Sequence, residues 1–80
     1  MDKRICVISM IVSNRIETAP KVNELLSKYG EKIVGRFGIP FKDKGYNVVS
    51  VVLEAETDDI GSLTGKLGQI SGVTVKSLTV

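Results

Sequence analysis

The stretches Ile5–Val12 and Tyr46–Ala55 constrain this chain most, because the heart of each carries β-branched or apolar residues at odd and even positions alike. Successive side chains of a strand point to opposite faces, so a run of this kind has no face suited to water. In the first stretch Ile5, Val7 and Ile11 fall on one side and Cys6, Ile8, Met10 and Val12 on the other. The second repeats the pattern, with Val48 and Val52 set against Val49, Val51 and Leu53. The first is too short and too rich in β-branched residues for a buried helix. Two interior strands are expected, each needing cover above and below.

That demand falls on a chain of 80 residues. A chain this short is read as one domain, residues 1–80, which buries only about 60% of the surface its unfolded form exposes. Scaffolds of this size tend to need a disulfide, a metal or a partner subunit. Cys6 is the only cysteine and there is no histidine, so one chain cannot close a disulfide or assemble a tetrahedral zinc site. Cys6 reads as a small buried apolar residue, and no metal and no cofactor are expected. A partner subunit is what is left, and a homo-oligomer, dimer or tetramer, is the expectation. Eleven basic and nine acidic residues give a net charge of +2 without a dense basic block, which argues against nucleic-acid binding by this chain alone. No apolar segment approaches the length of a membrane span, and a cytoplasmic location is expected by default.

The remaining elements follow from periodicity. Ala19, Val22, Leu25, Leu26 and Tyr29 recur at helical spacing within Ile16–Tyr29. The start of that helix has two readings, a capping box on Asn14 and Glu17 or a first turn at Pro20, and Gly30 is the expected stop. Ile33–Phe41 reads as a strand weakened by Gly35, Gly38 and Pro40, a composition suited to a sheet edge. Lys42–Gly45 predicts a hairpin turn into Tyr46–Ala55. Thr57 is the expected N-cap of a second helix that carries Ile60, Leu63, Leu67 and Ile70 and closes at Ser71–Gly72. Val73–Val80 completes the order β-α-β-β-α-β. This is an α+β, ferredoxin-like sandwich, and right-handed crossovers set an antiparallel sheet of order 4-1-3-2 with both helices on one face. The other face, apolar on its central strands, must meet something.

No catalytic constellation emerges. The stretch Gly61–Gly68 has three residues between its first glycines and a leucine after Lys66, so it fails the spacing of a phosphate-binding loop. Its glycines are read instead as a face for close approach to the sheet or to a neighbouring chain, one that Gly65→Leu would disrupt. With no histidine to activate a serine, an enzyme is not expected. Ser13, Asn14 and Arg15 end a central strand just before a helix, where backbone amides and a fixed cation could receive an anionic small molecule. A plain turn and cap is the competing reading. Arg36, on the weak edge strand, reads as an anion clamp, an inter-subunit contact or an edge charge that discourages aggregation; as a clamp it is expected to matter less than Arg15 because it lacks that framework.

Three segments carry a resemblance: Val22–Leu26, Gly35–Pro40 and above all Leu63–Lys76, within a match from about Arg4 to Leu78. The chain resembles a family of short bacterial proteins named as regulators of the iron-only hydrogenase system. The resemblance implies an ACT-like form of the ferredoxin fold, akin to the C-terminal domain of the nickel-responsive repressor, and a regulatory role near hydrogenase maturation genes. The nickel ligands of that repressor find no histidine here, and its DNA-binding segment finds no counterpart before Arg4. The leading reading is a regulatory, ligand-sensing and oligomerising module. The alternatives are a ligand-free adaptor acting through protein partners and a transcriptional regulator contacting DNA.

Overall fold

The computed structural model describes residues 2–13 and 15–80, with Arg15 described by its backbone alone. Four strands, β1 (Arg4–Ser13), β2 (Ile33–Phe41), β3 (Tyr46–Ala55) and β4 (Val73–Thr79), alternate with helices α1 (Arg15–Lys28) and α2 (Thr57–Gly68) in the order β1-α1-β2-β3-α2-β4. The sheet runs β2-β3-β1-β4 and every pairing is antiparallel, which is the expected 4-1-3-2 order read from the other edge. The two strands apolar on both faces do occupy the centre.

Alternation decides what each strand buries. Cys6, Ile8, Met10 and Val12 of β1 and Val49, Val51, Leu53 and Ala55 of β3 point toward the helices and are buried there. Val22 and Leu26 of α1 and Ile60, Leu63 and Leu67 of α2 close over them to make the core. Removal of these side chains from water is the main stabilising term, about 1.5–3 kcal/mol for each large one. Cys6 is fully buried and its sulfur accepts a 3.4 Å hydrogen bond from Thr79 Oγ1, as befits a packing residue.

Several local expectations need correction. Pro20 lies inside α1 and not in its first turn, which rules out a helix start there; Asn14, the cap expected in the other reading, lies outside the described residues. Thr57 is the first residue of α2, whose N-cap is Glu56 without a side-chain cap bond, while Asp58 and Asp59 complement the helix dipole in the first turn. The helix ends at Gly68, four residues before Gly72. A short 3-10 turn, Gly30–Lys32, leads from α1 into β2. No packing explains the glycines of α2: a Cβ at Gly61 or Gly65 would meet nothing within 4 Å, and one at Gly68 would only touch Val75 Cγ1 at 3.4 Å. The expected close approach to the sheet is absent at Gly61 and Gly65.

Positive φ is reserved for two turns. Gly45, at +73°, closes the β2–β3 hairpin, and Gly72, at +91°, turns the chain into β4. Gly72 is also pinned, because the Ser13 amide and hydroxyl both donate to its carbonyl, at 2.8 and 3.0 Å. A Cβ at Gly72 would fall 2.9 Å from Ser13 Oγ and 3.3 Å from Thr18 Oγ1. Thr18, buried and polar, therefore forms part of this crowded corner. Among the described residues no helix is long and apolar enough to cross a membrane.

Candidate functional site

Two surfaces of the sheet stand out, one on each side. On the helix side, α1 lies over the centre of the sheet and leaves the edge strand β2 uncovered. A groove of about 320 Å³ results. Its floor is Val12, Asn47 and Val49, one wall is Ala19, Val22 and Asn23 of α1, and the outer rim is Arg36, Gly38 and Pro40 of β2. The space exists because Gly38 has no side chain between those of Arg36 and Pro40. Pro40 is tolerated here because β2 is an edge strand with a neighbour on one side only.

The groove is mixed in character, with three polar side chains, Asn23, Arg36 and Asn47, among its apolar lining residues. Arg36 Nη2 donates a 2.8 Å hydrogen bond to Asn23 Oδ1, tying β2 to α1. This bond is a side-chain anchor for Arg36, and among the described residues no carboxylate is paired with it. Asn47 Oδ1 is buried without a hydrogen-bond partner. An unpaired buried polar atom of this kind costs about 1–3 kcal/mol, so the amide is suited to a partner that the chain itself does not provide. Sequence reasoning missed Asn47 and Asn23. A polar residue at a helix-facing position of an otherwise apolar strand was the signal for Asn47.

Of the other expected site residues, Ser13 does not line this groove. Ser13 spends its hydroxyl on Gly72 and lies with the opposite parity of the pleat, paired with Tyr46. Asn14 lies outside the described residues, and the Arg15 backbone begins α1. Ser13 is a structural clamp between β1 and the turn before β4.

The far side of the sheet has no helix. Its rows, read from β2 to β4, are Gly35–Val52–Val7–Leu78, Phe37–Ser50–Ser9–Lys76 and Ile39–Val48–Ile11–Thr74. Lys76 is the one charge in these three rows. Phe37, Ile39, Ile11, Val52 and Leu78 are exposed, whereas the central Ser9 and Ser50 satisfy each other through a 2.8 Å hydrogen bond. One hydroxyl of that pair donates to the other, so the two serines leave a single O–H donor for a covering partner to meet.

Among the described residues no group of three or more histidine, cysteine or carboxylate side chains could hold a metal. No curated protein matches the chain. A solved structure, that of the uncharacterized protein TM1266 from Thermotoga maritima, is 39% identical, superposes with a TM-score of 0.94 and shares 99% of each chain. Residues 4–77 match the model of the TM1266-like family, whose description is "Iron-only hydrogenase system regulator, putative". The sheet order, the helix placement and this match over nearly the whole length agree, and the chain belongs to the TM1266-like family of iron-only hydrogenase system regulators.

Proposed function

We propose that this chain is a one-domain, cytoplasmic regulatory module of an iron-only hydrogenase system that self-assembles through its open sheet face and receives a small effector in the groove on the other side. The apolar open face carries the proposal. Four strands about 4.8 Å apart and nine residues at about 3.3 Å give a face of roughly 19 by 30 Å, or about 570 Å². Two copies stacked face to face would bury at least about 1,100 Å², the lower end of what specific interfaces bury. A second copy fits such a face because an isologous contact matches apolar rows with apolar rows and charge-poor centre with charge-poor centre.

Strand β2 joins the two surfaces. Arg36, Gly38 and Pro40 line the groove, while Phe37 and Ile39, between them in sequence, belong to the open face. A molecule that fixes β2 from one side restrains the assembly surface on the other, the physical requirement for an effector that acts on assembly. Light scattering on the purified chain tests the assembly. The expected mass at micromolar concentration is a dimer or tetramer of the 8.7 kDa chain, and a monomer mass would overturn the reading.

A further inference from the structure

We infer that the groove between α1 and β2 binds a small carboxylate with an apolar body of about four to six carbons and a hydroxyl or amino substituent, a size suited to a site near the lower limit for small-molecule pockets. This rests on the effector reading above and names the effector's chemistry. Arg36 is the one charged side chain among the groove's described lining residues, and it uses a single nitrogen on Asn23. The rest of its fork is available to a bidentate acceptor. One guanidinium matches the single charge of a carboxylate. A phosphate dianion would bring a second charge against Val12, Val22 and Val49, where nothing compensates it.

Asn47 sets the second requirement. Its buried oxygen has no partner, Asn47 is one of the groove's lining residues, and with the amide turned round its nitrogen would take that unpaired place. A hydroxyl or amine near the carboxylate can donate or accept, so it satisfies either orientation. The apolar body then lies along Val22 and Pro40 above the open floor at Gly38.

Calorimetry on the whole chain tests this with three probes: 2-hydroxy-4-methylpentanoate, 4-methylpentanoate and the uncharged 4-methylpentanamide. Affinity is expected to fall in that order, by at least about tenfold from the acid to the amide. Arg36→Gln should weaken the two acids at least tenfold and leave the amide unchanged. Gly38→Leu should abolish binding of all three, and it is expected to fold because the first carbon would sit 3.8 Å from Val49 Cγ2. Circular dichroism melting checks folding, and Arg36→Gln carries the test alone should Gly38→Leu unfold. No binding by any probe, or equal affinity of wild type and Arg36→Gln for the acids, overturns the inference. Equal binding of the two acids overturns the role of Asn47. Assembly mass on the same samples separates the two readings: an unchanged oligomer that binds no probe sinks this inference alone, whereas a monomer that binds the hydroxy acid sinks the self-assembly reading alone.

Discussion

The two faces of this sheet both carry large apolar residues and meet opposite fates. Ile8 on the helix side is 0% exposed, while Ile5 and Ile11, on the opposite face of the same strand, are 55% and 48% exposed. Apolar character alone therefore does not decide burial in a domain of this size. Two helices can cover one face of four strands, and apolar residues on the second face stabilise nothing until another surface arrives. The covered face holds the fold together; the open face leaves large apolar side chains exposed.

The sharpest way to break that comparison uses adjacent residues of β3. Leu53→Ala empties a fully buried position and is expected to cost about 2–5 kcal/mol of stability in denaturant unfolding. Val52→Ala, one residue away on the open face, should cost less than about 1 kcal/mol in dilute solution. Similar losses for the two would mean that the faces are equivalent even in the lone chain.

Ile11→Lys probes the open face itself. A charge in the row Ile39–Val48–Ile11–Thr74 should weaken self-association at least a hundredfold, about 2.8 kcal/mol, with folding retained when sedimentation and circular dichroism are compared. Retained assembly would move the interface to a sheet edge or to α2.

The glycines supply the two smaller tests. Gly72→Ala forces a side chain onto a φ of +91° and against Ser13, and about 1–3 kcal/mol should be lost on thermal melting. Gly65→Ala enters open space on a helix and should stabilise the chain by about 0.5–1 kcal/mol. Destabilisation by Gly65→Ala accompanied by loss of oligomer would show that α2 meets a neighbouring chain closely, restoring in another form the contact absent within one chain.

Much of the fold was legible along the chain because the signals are local. The two-sided apolar runs marked β1 and β3 as central, Gly35 and Pro40 marked β2 as an edge, and the handedness of crossovers then left one strand order. Helix ends were less legible, since Thr57 and Ser71–Gly72 offer capping chemistry that competing turns can use as well. The candidate site was read only in part. Arg36 stood out as a cation on a weak strand, but its partner Asn23 is 13 residues away and Asn47 enters the groove from a different strand. Ser13 looked like a ligand group from its position before a helix, and its hydroxyl is instead taken up by Gly72, 59 residues on.

By itself, then, the sequence determined the order of elements, the two central strands and the excess of apolar surface over what two helices cover. Periodicity and turn chemistry act over a few residues and can be read in one dimension. Only the tertiary structure decided which of two largely apolar faces the helices cover, that a missing side chain at Gly38 opens a groove, and that Arg36, Asn23 and Asn47 share it. Those outcomes depend on strand register and on the angle at which a helix crosses a sheet, and a shift of one residue in either would exchange the faces.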